Sequence, residues 1–189
     1  PGWVGVPMPG VEIRIVDADG NALGPNQVGE VCTRSAANMK GYWRNQAATA
    51  STVDDEGWLR TGDAGYLDED GYLYIQDRIK DMIISGAENI YPAEVESAIF
   101  GHPQVAEVAV IGVPDETWGE AVKAIVVPKP GASPAAEDII AFARTRIAHF
   151  KAPKSVDFRA EPLPRNPSGK ILRRELREPY WAGEQRRVN

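Results

Sequence analysis

Four short segments of this 189-residue chain carry residue types that ordinary packing does not require. Arg60-Thr61-Gly62-Asp63 sets a carboxylate beside a glycine at a strand end, so the backbone can turn closely while Asp63 faces a cleft. Asp77-Arg78-Ile79-Lys80-Asp81 alternates charges on the way into an apolar stretch. Arg78 offers a planar fork suited to phosphate or paired hydroxyls, and Lys80 a point charge. Ser85-Gly86-Ala87-Glu88-Asn89-Ile90-Tyr91-Pro92 places small residues between a strand and a helix, where a backbone can approach a ligand. Pro164-Arg165-Asn166-Pro167-Ser168-Gly169-Lys170 is a loop held by two prolines and a glycine, with Lys170 just before a helix. It lacks the G-x-x-x-x-G-K-[ST] spacing of a phosphate-binding loop. Singly, each also reads as plain structure: a capped turn, a surface ladder of ion pairs, a strand–helix connection and a basic turn.

The elements that must position these residues change character along the chain. The first third reads as short strands with glycine-containing turns: Val11–Val16, Val28–Arg34, Trp58–Arg60, Gly65–Leu67 and Tyr72–Gln76, with a hairpin turn at Asp68–Gly71 and a short helix near Gln46–Thr52. Beyond Arg78, strands and helices alternate. Ile79–Ile84 is a strand candidate. Pro92 opens a helix with Val95, Ala98 and Ile99 on one face. Val105–Val113 and Ala121–Val127 are apolar, β-branched strands. Pro134 opens a second helix with a stripe of Ile139, Ile140, Phe142, Ala143 and Ile147; Val156–Phe158 is a strand, and a last helix starts at Ile171. The expected class is α+β: a short β-rich, barrel-like subdomain over 1–79, then a small α+β domain over 80–189 with a three-stranded sheet and helices.

Composition narrows the function classes. With 43% hydrophobic and 25% charged residues the chain suits one or two ordinary domains with a real core. No apolar run is long enough to span a membrane as a helix, and no leader is visible. One cysteine and two histidines supply neither a disulfide framework nor a zinc cluster, and the expectation is a cytoplasmic protein. Net charge is −6 over residues 1–79, −7 over 80–143 and +7 over 144–189. A basic last quarter on an acidic body points to an anionic partner or to a solvated basic helix.

Taken together, the order and spacing of the segments are specific. Thr61-Gly62-Asp63, then Tyr74 to Gly86, then Tyr91-Pro92-Ala93-Glu94-Val95-Glu96, then Pro164 to Lys170 closely resembles the adenylate-forming superfamily, and within it the fatty-acyl-CoA synthetases. Val4 to Asp17 also resembles the stretch leading into that family's last large-domain subdomain. The resemblance implies an enzyme that activates a carboxylic acid with MgATP as an acyl-adenylate and then passes the acyl group to the thiol of CoA. It implies that Asp63 accepts hydrogen bonds from ribose hydroxyls, that Arg78 holds ribose and neighbouring phosphate, and that Ile75 packs near adenine. Lys170 is then the adenylation lysine and Lys80 the hinge between the two steps. The resemblance further implies that Ser85, Gly86, Ala87 and Glu88 line the pantetheine tunnel and that Lys151 and Lys154 face the phosphates of CoA.

On the same resemblance, residues 1–79 are the C-terminal β-rich part of the large AMP-binding domain and 80–189 the mobile C-terminal domain. The family's ATP phosphate loop, its Mg²⁺ ligands and its acyl pocket lie upstream of anything resembling this chain, so no residue here is assigned to metal. The expectation is that the chain alone does not catalyse and works with an upstream large domain on a fatty acid, ATP and CoA. Ala87 stands where many relatives have a second glycine, which keeps a carrier-protein thiol open as an alternative acceptor. A non-catalytic reading would have the basic tail bind nucleic acid or an anionic membrane surface, with Tyr180 and Trp181 among Arg173, Arg174 and Arg177 as stacking groups. Nucleic acid is not the expected partner; peripheral membrane contact is left open.

Overall fold

The computed structural model describes residues 2–183, and the chain divides into two compact units, residues 1–79 and 80–189. In the first unit, strands β1 (Gly2–Gly5), β2 (Val11–Val16), β3 (Gly29–Ser35), β4 (Leu59–Leu67) and β5 (Leu73–Arg78) form one antiparallel sheet in the order β1-β5-β4-β3-β2. Helix α1 (Gln46–Thr52) is capped by the Asn45 side chain, which accepts from the Ala48 amide. Alternation in β2 and β3 sorts the side chains onto two faces. Ile15, Val31 and Leu73 gather on one with Ile13, Leu67 and Ile75. Val16, Cys32 and Trp58 gather on the other, where the guanidiniums of Arg14 and Arg34 lie 4.3 and 4.7 Å from the Trp58 ring.

The two short strands expected at 58–60 and 65–67 are one continuous strand, β4, which starts at Leu59. It passes straight through Gly62, whose φ of +73° favours glycine, and shifts register against β5 between Ala64 and Gly65. A sequence pattern read for alternation breaks at such a bulge even though the strand continues. The turn at Asp68–Gly71 is as expected: the Asp68 carboxylate accepts from the amides of Asp70 and Tyr72.

A 3-10 turn (Ile79–Asp81) spans the boundary, and the second unit continues with β6 (Ile83–Ser85), β7 (Glu88–Ile90), α2 (Pro92–Phe100), β8 (Val105–Asp115), β9 (Gly119–Pro128), α3 (Ala136–Arg144), β10 (Ser155–Phe158), α4 (Arg173–Arg177) and a 3-10 turn (Glu178–Tyr180). The α+β class holds, but the sheet has five strands rather than three. The expected strand at 79–84 is a 3-10 turn followed by β6, and β6 pairs with β7, a strand where the sequence pattern shows only a connection. Both are three residues long, too short for periodicity to register. The second long helix starts at Ala136, two residues after Pro134, and ends before Ile147, which still packs on the core from outside it. The last helix starts at Arg173 rather than Ile171.

The long hairpin β8–β9 is the centre of this unit. Val108 and Val110 of β8 point to one face with Val122, Ala124 and Val126 of β9, and there meet Val95 and Ile99 of α2 and Ile139 and Ala143 of α3. Ala109, Ile111 and Val113 point to the other face with Ala121, Ile125 and Val127, and there meet Leu163, Ile171, Leu176 and Tyr180. Both faces are covered, which is why these strands read as continuous apolar runs. At the sheet edge the Tyr180 hydroxyl donates to Asp157, and Lys123 donates to the same carboxylate at 2.7 Å.

Leu176→Ala should cost about 2–5 kcal/mol in urea denaturation, because it empties a site only 4% exposed on the second face. Burial, the bond to Asp157 and its charge push the Tyr180 hydroxyl up to about 12. Its bond therefore contributes fully below pH 10, the ordinary tyrosine value, and is lost as the pH climbs toward 12. Burial opposes the charge on Asp157, but Lys123 and Tyr180 outweigh it and hold its carboxyl below the ordinary value. The stability lost between pH 10 and 12, read from urea midpoints, should be smaller in Tyr180→Phe than in the parent protein.

Candidate functional site

The first group of candidate residues sits at the end of the β4–β5 pair. Asp63 and Arg78 are directly opposite across the ladder, and Arg78 Nε donates to Asp63 Oδ1 at 2.8 Å. The approach is built by neighbours: Thr61 Oγ1 donates to the Val31 carbonyl and accepts from the Asp63 amide, while the Glu30 carboxylate accepts from the Gly62 amide. Thr61 and Glu30 therefore fix a carboxylate–guanidinium pair that stays partly exposed, with Arg78 the more open of the two (49% against 30%). Such a pair presents acceptor oxygens and a planar donor fork side by side, a donor set that fits a vicinal diol next to an anion. Ile75, three residues before Arg78, is half-buried against Ile15, Val31 and Leu73.

Lys80 lies in the 3-10 turn where the chain passes from one unit to the other. Ser85, Gly86, Ala87 and Glu88 form the tight turn between β6 and β7, with Gly86 and Ala87 both left-handed at φ +58° and +70°. An L-alanine in that region costs about 1–2 kcal/mol. The turn leans on a residue that sequence reasoning passed over: the Gly86 amide donates to the Trp118 carbonyl, and a Cβ at Gly86 would overlap the Trp118 ring. Trp118 is half exposed, and the Lys154 ammonium lies 5.0 Å from its ring. The structure thus brings Lys154 to the Ser85–Glu88 turn. Lys151 is turned elsewhere, donating to both oxygens of Glu94 at 2.8 Å, with its ammonium 5.9 Å from the half-exposed Phe150 ring. A lone tryptophan in Asp115-Glu116-Thr117-Trp118-Gly119, the loop between two buried strands, was the signal available for Trp118.

Lys170 stands at the end of a braced hairpin. The Asn166 side-chain oxygen accepts from the amides of Ser168 and Lys170 and from the Ser168 hydroxyl, the Asn166 amide donates to the Lys170 carbonyl, and Arg165 bridges to Ile171. Gly169, at φ +83°, supplies the left-handed step. Arg165 locks the hairpin from outside, donating to the Gly169 carbonyl at 2.9 Å and to Glu107 at 2.7 Å. Lys170 itself is exposed, and among the described residues no group bonds its ammonium. A cation held on rigid backbone with its charge uncommitted can meet an anion that arrives from outside the unit.

The aromatic groups that a nucleic-acid reading needed are used internally. The Trp181 indole donates to the Gly112 carbonyl at 3.0 Å, Tyr180 is bonded to Asp157, and Arg173 is bonded to Glu96. Among the described residues no group of three or more His, Cys, Asp or Glu side chains could hold a metal ion, and no helix is long and apolar enough to cross a membrane.

Residues 94–170 match the family of the AMP-binding enzyme C-terminal domain, and residues 1–43 match the AMP-binding enzyme family. A fatty acid–[acyl-carrier-protein] ligase of Streptomyces coeruleorubidus is 51% identical over 185 residues, 98% of this chain and 35% of that protein. A long-chain-fatty-acid–CoA ligase of Mycobacterium tuberculosis is 52% identical over 167 residues, 88% of this chain and 33% of that protein. The crystal structure of ATP-bound MatB from Rhodopseudomonas palustris superposes with a TM-score of 0.88 at 41% identity, covering 95% of this chain and 36% of that one. The chain spans about a third of the length of the relatives it matches. Two family matches that bracket the chain, with relatives of about 50% identity along nearly all of it, place this chain in the AMP-binding, adenylate-forming enzyme family, whose C-terminal domain it carries.

Proposed function

We propose that this chain serves as the C-terminal part of an acid–thiol ligase acting on fatty acids, and that it works with an AMP-binding large domain contributed by a longer protein. The carboxylate of the acid would attack the α-phosphorus of ATP; an acyl–phosphate bond forms, the bond to pyrophosphate breaks, and an acyl-adenylate results. A thiolate would then attack the acyl carbon, forming the thioester as AMP leaves. The observation that carries this reading is Lys170: a charged side chain with no partner among the described residues, on the outgoing leg of a doubly braced hairpin, in a domain whose family is built around adenylate chemistry.

The roles follow from the groups. Lys170 would offset negative charge on the acid and the α-phosphate as the transition state forms, which needs no proton transfer. Asp63 would accept from the ribose hydroxyls while Arg78 donates to ribose and phosphate; the 2.8 Å pair between them keeps both oriented before nucleotide arrives. Ile75, half-buried beneath the same strand end, would offer its remaining surface near adenine. Lys80 would be the hinge, a reading supported by the division of the chain at that residue within a short 3-10 turn. The Ser85–Glu88 turn would border the thiol's path, with Lys154 and the Trp118 ring as a paired cation and stacking face for a nucleotide-bearing thiol such as CoA. Mg²⁺ would supply charge neutralisation of the phosphates in such a reaction, and no residue of this chain is assigned to it.

A carrier-protein thiol is the second reading for the acceptor, favoured by Ala87 in its left-handed position and by the Streptomyces relative that carries the name of a carrier-protein ligase. The two separate in one assay: thioester formation from a fatty acid and ATP with CoA or with a phosphopantetheinylated carrier protein as acceptor. In the full-length protein carrying this chain, Lys170→Ala should lower fatty-acid-dependent ATP–pyrophosphate exchange by about 10²–10³-fold while the fold persists, since the side chain is exposed. Unchanged exchange would remove the adenylation role.

A further inference from the structure

We propose that Arg173 is a positioning residue for Lys170, and that through Glu96 and Asp81 it ties the Lys170 hairpin to the turn that holds Lys80; this rests on the adenylation role proposed above. Arg173 is the first residue of α4, three positions after Lys170. Its guanidinium engages both oxygens of Glu96, at 3.0 and 2.7 Å through Nη2, with Nε adding a third contact at 3.2 Å. Glu96, on α2, is itself fixed by accepting from the Val110 amide of β8 at 2.8 Å. From its other side the same guanidinium reaches Asp81 at 3.8 Å, one residue after Lys80. One cation therefore joins the segment leaving the Lys170 hairpin, the central hairpin and the 3-10 turn.

Three features separate this from an ordinary surface ion pair. The side chains of Arg173, Glu96 and Asp81 are only 19, 16 and 15% exposed, so solvent screening is weak. The contact is forked, which fixes orientation as well as distance. A groove lined by Ala93, Ser97, Phe100, Val108 and Ile171 runs between α2, β8 and the hairpin, so apolar packing does not fill that flank. Polar clamps remain to hold the hairpin there: Arg165 to Glu107 on the incoming leg and Arg173 to Glu96 on the outgoing one. Arg173 is engaged by carboxylates, so it acts through Lys170 rather than on substrate.

The test uses the full-length protein carrying this chain, with Arg173→Lys, Glu96→Gln and Lys170→Ala, singly and with Arg173→Lys combined with Lys170→Ala. ATP–pyrophosphate exchange reads the first step, and thioester formation from a supplied acyl-adenylate reads the second. Arg173→Lys keeps the charge and loses the fork. It and Glu96→Gln should each lower exchange kcat by about 10–100-fold, the scale of a small misplacement. KM for ATP and the second step should stay near the parent values, while Tm falls by a few degrees as a largely buried ion pair is weakened. In the Lys170→Ala background Arg173→Lys should add little, because residues acting as one unit are not additive. Amide hydrogen exchange over residues 79–83 should quicken in Arg173→Lys. Equal loss of both steps, or multiplicative losses in the double variant, overturns the positioning role. Unaltered exchange protection over residues 79–83 overturns the tie to the turn. Full exchange activity in Lys170→Ala alone sinks the adenylation reading instead, and is read separately.

Discussion

Two-sided burial of the β8–β9 hairpin is the constraint on which the second unit depends. An antiparallel ribbon with apolar side chains on both faces is stable only when both are covered, since each face left open exposes several valines and isoleucines to water. Helices α2 and α3 cover one face. The other is left to Leu163, Ile171, Leu176 and Tyr180, and so to a segment that must cross the sheet. The Pro164–Lys170 hairpin is the part of that segment which leaves the surface between two anchored ends. Its rigidity is a by-product of the sheet's need for cover, sharpened by Asn166 and Arg165.

The first unit solves a different problem. Its polar residues sit at the end of a strand pair rather than on a loop, and a register shift at Ala64/Gly65 re-aims them. Strand positions are held by the ladder on both sides, so a carboxylate and a guanidinium placed opposite each other keep their spacing without a ligand. Thr61 bonds backbone and Glu30 divides its oxygens between the Gly62 amide and the Arg60 guanidinium, leaving Asp63 and Arg78 to face outward. Placement is thus delegated to groups that do not themselves meet a ligand.

Much of this was legible in the residues, for identifiable reasons. Proline at the first turn marked α2, and alternating apolar residues marked β2; uninterrupted apolar runs marked β8 and β9. The Asn-Pro-Ser-Gly turn located the Lys170 hairpin because each of those residues favours turn geometry by its own mechanism. What escaped was either short or non-local. The β6 and β7 strands carry too few residues to show a period, and β4 hid behind Gly62. The Trp118 ring reaches the Ser85–Glu88 turn across many residues of chain, and Glu96 meets Arg173 from still farther. Spacing in sequence encodes contacts along one element; it is silent on contacts that only the closed fold creates.

The order in which those pieces leave the ribosome follows from the same geometry. The central hairpin and the helices on its first face are synthesised before Leu163 to Tyr180, so the nascent unit has a bare second face until its last segment arrives. Closing that contact joins residues distant in sequence, a step that is slow compared with hairpin or helix formation. Asn166 and the Arg165–Gly169 bond can brace the hairpin locally, but the Arg165–Glu107 lock waits for that closing step. A chain stopped short of it would display sticky apolar surface and no aligned ammonium, so cellular quality control would see an incomplete molecule before any substrate could.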